Sequence, residues 1–510
     1  MTFADPGRVS PSPARLYLVA GSLALLAAAI LTGAFTRPAV GLVALATVVA
    51  VSGLRAVSWP HLIAVLILII LLIPIRRYEL PGNLPFEVEP YRVFVMFLVF
   101  GWCASLLVDA RTNMRRTGFE GPLIVIVGAM VASIVSNPDA VAASAGDVGK
   151  SLTFFLSFVL VLYVIASAVR RFADVDFLAK VLVLGGAVVA VFAIVEARTG
   201  FNVFNHLDRV IPVLYPGAVE PGDFVKYGAA KLRVFASAQH PIALSAAFVL
   251  LLPLAIYLAR RYGQRRWIVC AFLLVAACAS AVSRTGIVML LVVGLVFLWL
   301  RPRETSRLWP AVVPVLVVIH FVLPGTLGAI KQSFFPAGGL IAEQKSNPGG
   351  SGSGRLADLG PALQVWERQP IAGQGFGTIL VTRIDVRGEH PNILDNQWLG
   401  TLLATGLAGV LGWFWFFARA VRRFGREAKR DRTDRGWLLA AIAASVAAFG
   451  VGMLTYDAFA FIQATFLLFI LVGLGAALLA EPRTPVAVES LTSRRAPAPR
   501  RPTRMARGEA

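Results

Sequence analysis

The chain has 510 residues, of which 57% are hydrophobic and 15% are charged, and its mean hydropathy is +0.74. This composition excludes an ordinary soluble protein of this length and predicts an all-α, polytopic helical membrane protein. The formal net charge of +20 is explained by loop topology and contact with anionic lipids, so nucleic acid is not an expected partner.

Apolar runs of roughly 17–25 residues, long enough to cross about 30 Å of hydrocarbon, recur along the whole chain. They predict about twelve to fourteen transmembrane helices within a membrane domain of residues 15–480. The expected spans are 15–35, 38–54, 59–75, 91–108, 121–137, 151–169, 177–196, 240–259, 267–283, 285–300, 308–330, 392–418, 437–456 and 459–480.

Most of the Lys and Arg residues fall in alternate loops, such as "RTNMRR", "RRYGQRR", "RPRETSR" and "RAVRRFGREAKRDRTDRG". Because basic loops stay in the cytoplasm, these loops and both termini are predicted to be cytoplasmic. The N-terminal segment is residues 1–14. The Arg- and Pro-rich tail, residues 481–510, is predicted to be disordered.

Two outward loops are long, 197–239 and 331–391, and long loops in compact proteins are usually functional or disordered. The stretch "RLADLGPALQVWERQP" places Leu356, Leu359, Leu363 and Trp366 at helical spacing, which predicts a helix lying over the bundle. The glycines of "GQGFG" are expected to turn the chain after it.

Three arginines are expected close to the outward surface. Arg284 lies between two apolar runs in "SAVSRTGIVML", Arg233 precedes a span in "KLRVFASAQHP", and Arg92 does so in "EPYRVFVMF". An arginine at membrane depth costs about 2.5–3.5 kcal/mol on insertion scales, so Arg284 either reaches back to the interface or binds an anion. A guanidinium suits phosphate because its planar fork donates two hydrogen bonds at once.

Four motifs, in order, resemble those of the O-antigen ligase and O-antigen polymerase superfamily. They are "KLRVFASAQHPIALSAAFVLLLPLAIYLA", "SAVSRTGIVMLLVVGLVFL", "SGSGRLADLGPALQVWERQPIAGQGFG" and "DNQWLGTLLATGLAGVLG". The resemblance covers residues 230–412.

The resemblance implies a metal- and cofactor-independent glycosyltransferase in the bacterial cytoplasmic (inner) membrane. Such proteins move a glycan from an undecaprenyl-diphosphate carrier to an acceptor hydroxyl on the outer face. In ligases of the family, His directly precedes the Asn that starts the last motif. Asp395 holds that position here and His390 lies five residues earlier, which favours a polymerase-type or divergent member.

Glycan transfer requires a stabilised leaving group and a base. Arg233 and Arg284 are expected to hold the diphosphate, with Arg355 or Arg92 as a third contact. Asp395 and His390 are the two candidate bases, although Asp395 can instead cap the helix.

Asn392 and Asn396 either cap the helix or hydrogen-bond sugar hydroxyls. The alternative class is a transporter or flippase of lipid-linked sugars. Its expected inverted repeat with paired broken helices is not evident in the sequence.

Overall fold

The structure is a computed structural model. It describes residues 58–80, 88–108, 113–217, 225–226, 231–307, 310, 312–335, 359–378 and 395–481. The expected spans 15–35 and 38–54, Arg355, His390 and Asn392 lie outside the described residues, as does the tail after Glu481.

The described part of the chain is mostly helical, as predicted. Its α-helices are α1 (Trp59–Leu72), α2 (Pro90–Val108), α3 (Glu120–Ser136), α4 (Pro138–Ala143), α5 (Ala145–Ala168), α6 (Phe172–Thr199), α7 (Pro241–Tyr262), α8 (Arg265–Ser280), α9 (Arg284–Leu300), α10 (Pro302–Ser306), α11 (Val312–Val322), α12 (Thr326–Phe334), α13 (Leu359–Trp366), α14 (Gln397–Arg430), α15 (Asp434–Gly452) and α16 (Ile462–Ala480).

Short irregular pieces complete the described structure. Two 3₁₀-helices cover Val203–Arg209 and Ala458–Ala460. Strand β1 (Tyr78–Glu79) pairs antiparallel with β2 (Tyr215–Pro216), and β3 (Val225–Lys226) pairs with β4 (Lys231–Leu232).

Seven described helices are long and apolar enough to cross a membrane, namely α2, α5, α6, α7, α14, α15 and α16. Helices α1, α3 and α9 are apolar but shorter. The expected span 308–330 is instead a pair, α11 and α12, bent by 113°. Gly325 stands at the break with φ 79°, a left-handed conformation that ends α11 and redirects the chain. The fold is therefore polytopic, as predicted.

Helix α16 is the centre of the bundle. Nearly all of its side chains are buried, from Ile462 to Leu478, and it packs against α5, α7 and α15. Such a helix is apolar all round because it has protein on every side. The neighbouring α7 and α15 are also largely buried, so these three helices form the fixed frame to which the loops are attached.

The two ends of the bundle differ in chemistry. At one end, called the basic end, Arg260 pairs with Asp434 at 3.2 Å, and the Phe172 N–H donates to Glu481 at 3.1 Å. The basic loops of the sequence gather there. At the other end, called the site end, α7, α9, α14 and α16 all begin. The loops that carry the predicted site residues therefore meet at one end of the bundle.

Candidate functional site

Arg233 lies buried in the loop that leads into α7. Its Nε donates a hydrogen bond of 3.2 Å to the carbonyl of Ala281, in the turn between α8 and α9. Arg284 is the first residue of α9, three positions after Ala281. The structure therefore brings together the two loops that carry the two arginines expected to bind diphosphate.

Arg284 occupies the N-terminus of α9. The Ser283 hydroxyl accepts a hydrogen bond of 3.4 Å from the Gly286 N–H and caps the helix. The positive end of the helix dipole makes this position favourable for an anion. Val282, just before it, has φ 46° although it is β-branched, so the turn is held in a conformation that such a residue rarely adopts.

A buried polar network holds the Arg233 loop in place. The two carboxylate oxygens of Glu196 accept hydrogen bonds from the N–H groups of Phe235 at 3.2 Å and Ala236 at 2.9 Å. Arg77 donates to the carbonyl of Ala236 at 2.8 Å and to that of Ala238. These bonds fix Ala236 at φ 42°. The sequence did not point to Glu196 or Arg77, because the hydrogen bonds by which they hold this loop run to its backbone atoms.

His240 caps α7. Its Nδ1 accepts a hydrogen bond of 3.1 Å from the Ile242 N–H, and its ring stacks on Phe461 at 5.7 Å. Burial and, to a lesser degree, the nearby charge of Arg233 lower the pKa of His240 to about 3. The imidazole is therefore neutral at pH 7, as an accepting nitrogen requires.

Asn396 is the N-cap of α14. Its side-chain oxygen accepts a hydrogen bond of 3.2 Å from the Leu399 N–H. Asp395, one residue earlier, is half-buried and stands just outside the helix. The cap is therefore made by Asn396, and the Asp395 carboxyl occupies the first position outside it.

Asp457 is a second carboxyl beside Asp395, and sequence analysis missed it. Burial, and then the charge of Asp395, raise the pKa of Asp457 to about 7, although Arg76 opposes the shift. The signal was present in the sequence, since "TYDAFA" places a lone acid in a short loop between two apolar spans. Two carboxyls that share a site titrate as a pair, and one of them keeps its proton to higher pH.

The loop that carries Asp457 is fastened to its neighbours. The Gln397 N–H donates to the carbonyls of Met453 at 2.8 Å and Tyr456 at 3.1 Å. The Thr455 hydroxyl donates to the Thr285 hydroxyl at 2.9 Å. The starts of α14 and α9, with Asp395 and Arg284, are thus tied to one loop.

Arg92, the other described arginine of the predicted set, forms an ion pair with the buried Glu89 at 2.9 Å. Glu89 also accepts a hydrogen bond of 2.9 Å from the N–H of Arg76, the residue whose charge reaches Asp457. Arg92 is therefore linked to Arg76, and so to the surroundings of Asp457, through the carboxylate of Glu89.

The expected helix is present as α13, although Leu356 lies outside the described residues, and the turn after it inserts into the bundle. Helix α14 breaks at Gly406, where φ is 63°. The segment after α13 fills the break, because the Leu407 N–H donates to the Pro370 carbonyl at 2.9 Å and the Gln374 N–H donates to the Leu403 carbonyl at 2.8 Å. Hydrogen bonds lost inside the helix are thus replaced, as burial demands.

Together these features define a polytopic helical membrane protein whose arginines and carboxyls meet at one end. Within that class, the family model described as O-antigen ligase matches residues 269–414, so this part of the chain is similar to that family. The matched residues include Arg284 and Asp395. No curated protein matches the chain.

The family match supports an O-antigen ligase- or polymerase-like function in polysaccharide biosynthesis, which is the work of a glycosyltransferase-like membrane enzyme. In the part of the chain that the structure describes, no three His, Cys, Asp or Glu side chains gather as a metal site would require. The arrangement offers guanidinium groups for an anion and a carboxyl pair for a proton.

Proposed function

We propose that this protein transfers a glycan from an undecaprenyl-diphosphate carrier to an acceptor hydroxyl at the outer face of the bacterial cytoplasmic membrane. It acts as a polysaccharide polymerase or ligase, with both termini in the cytoplasm. The observation that carries the proposal is the joining of the Arg233 loop to the Arg284 hairpin by the hydrogen bond to Ala281, at the end of the bundle where Asp395 and Asp457 lie.

The two arginines hold the diphosphate of the donor. As the bond between the sugar and the phosphate oxygen breaks, negative charge grows on the leaving diphosphate. Arg233 and Arg284, aided by Arg355 or Arg92, stabilise that charge. We expect chelators to leave turnover unchanged, since the guanidinium groups supply the positive charge.

The acceptor hydroxyl forms the new bond to the sugar and gives its proton to the carboxyl pair. Asp395 is the proposed base, and Asp457 is its partner. His390 is the other candidate from the sequence. A well-placed base contributes about 10²–10⁴-fold to the rate. Asn392 and Asn396 are proposed to border the sugar, Asn396 through its amide group while its oxygen caps α14.

The test is the product formed by purified protein with undecaprenyl-diphosphate glycan. A ladder of glycans identifies a polymerase, and a single addition to a different acceptor identifies a ligase. If the glycan stays unchanged but crosses to the other leaflet of a vesicle, the protein is a transporter or flippase instead.

A further inference from the structure

A cavity of about 340 Å³ lies at the basic end, far from the proposed transfer site. It is formed by the last turns of α14, the first turn of α15 and the end of α16. Its charged lining is Arg423, Arg426, Arg430, Arg435, Glu427 and Glu481. Positive charge therefore exceeds negative charge in its walls.

The two carboxylates at the end of α14, those of Glu427 and Asp431, are already neutralised. Arg435 contacts both Glu427 and Asp431 at 3.1 Å, and it also donates to the Leu478 carbonyl at 2.9 Å. The side chains of Arg426 and Arg430 are exposed and make no ion pair or hydrogen bond with any other described residue. These two arginines are thus available to an anion.

Two buried atoms in the walls lack hydrogen-bond partners among the described residues. One is a donor, Nε of Arg435, and the other is an acceptor, Oε2 of Glu481. Buried polar atoms are nearly always satisfied in proteins. A ligand with both an anionic oxygen and a hydroxyl group matches this pair, whereas a simple anion would satisfy only the donor.

The face of α14 next to the cavity has apolar and basic side chains in the order in which a bound lipid has its acyl chains and headgroup. Leu411 and Trp415 are 62% and 42% exposed, and Arg422, Arg426 and Arg430 follow them at intervals that keep one helical face. Apolar surface thus leads directly into basic surface at the end of a membrane-spanning helix. Basic pockets at this level attract anionic headgroups.

We propose that this cavity binds the headgroup of an anionic phospholipid, a phosphodiester that carries a free hydroxyl. The phosphate lies against Arg426 and Arg430, the hydroxyl donates to Glu481, and the acyl chains follow Leu411 and Trp415. The site is independent of the transfer site at the opposite end.

The experiment titrates phosphatidylglycerol into the full chain in an uncharged detergent and counts bound lipid by native mass spectrometry. The pocket variant is Arg426→Gln with Arg430→Gln. The matched control is Arg303→Gln with Arg307→Gln, which removes two exposed charges from the basic end outside the cavity. We expect the pocket variant to lose about tenfold or more in affinity, and the control to bind like the wild type.

Three results would overturn the proposal. Equal loss in both double variants would mean diffuse attraction to a charged surface. Equal binding of phosphatidylcholine would mean that the anion is not recognised. If inorganic phosphate alone raises the unfolding temperature as much as phosphatidylglycerol does, the cavity is a site for soluble phosphate. If the pocket double variant does not fold, Arg426→Gln and Arg430→Gln are tested singly, since both side chains are exposed.

Discussion

The side-chain oxygen of Gln397 accepts a hydrogen bond of 2.8 Å from the N–H of Phe459. This contact fastens the loop that carries Asp457 to the start of the helix that follows Asp395. Gln397 also donates its own N–H to that loop. The carboxyls of Asp395 and Asp457 are therefore held as neighbours by the hydrogen bonds of a third residue, Gln397.

Asp395→Asn is expected to abolish transfer. Asn cannot take a proton, while the N-cap of α14 is made by Asn396 and stays intact. The rate with donor and acceptor should fall by about 10²-fold or more, and the unfolding temperature should stay close to that of the wild type. The control is Asp139→Asn, at an exposed acid of α4. Full activity in Asp395→Asn would transfer the role of base to Asp457 or His390.

Asp457 is expected to make the folded protein less stable as the pH rises. Its folded pKa is about 7 against an ordinary value of 3.8, so the folded protein binds a proton that the unfolded chain releases. That stability is present below about pH 4 and is lost as pH rises through about 7. Asp457→Asn should remove this loss when unfolding temperatures are compared across that range.

His240 serves as an internal control when the pH dependence of the unfolding temperature is compared between wild type and Asp457→Asn. Its folded pKa is about 3, below the ordinary value, so its contribution is lost as pH falls below about 6.5. This effect has the opposite sign and remains in Asp457→Asn. Identical pH profiles for wild type and Asp457→Asn would show that neither burial nor the charge of Asp395 raises the pKa of Asp457 in the folded protein.

Arg233→Lys and Arg284→Lys keep the charge but lose the planar fork. If each guanidinium grips phosphate at two points, both variants should be inserted normally and lose most of their activity. Arg198→Lys, at an exposed arginine at the end of α6, is the control. Activity near that of the wild type in Arg284→Lys would leave this residue with a purely interfacial role.

Sequence analysis identified the class, most of the described helices, and the loops that carry Arg233, Arg284 and Asp395, because apolar length and quoted motifs are local features. It missed Glu196 and Arg77, whose roles depend on backbone carbonyls and N–H groups far away in the chain. It also treated 308–330 as one span, since hydropathy does not register a bend at Gly325. The insertion of residues 370–374 into α14 is likewise a tertiary feature.

Gly406 is where that insertion is most sensitive to change. A Cβ at this position would lie 2.2 Å from the carbonyl oxygen of Ile371, and φ is 63°. Gly406→Ala should therefore be destabilised through both contact and backbone strain, by about 1–3 kcal/mol or more. The expected result is a lower unfolding temperature and faster proteolysis after Trp366.

The matched control is Gly128→Ala in α3, where a Cβ would meet nothing within 4 Å. Ala is favoured over Gly inside a helix by about 1 kcal/mol, so this variant should be neutral or slightly stabilised. Equal behaviour of the two variants would contradict the close packing of the Pro370–Gln374 segment against the break. If Gly406→Ala also loses transfer activity while Gly128→Ala keeps it, the inserted segment supports the Asp395 end of α14 as well as its fold.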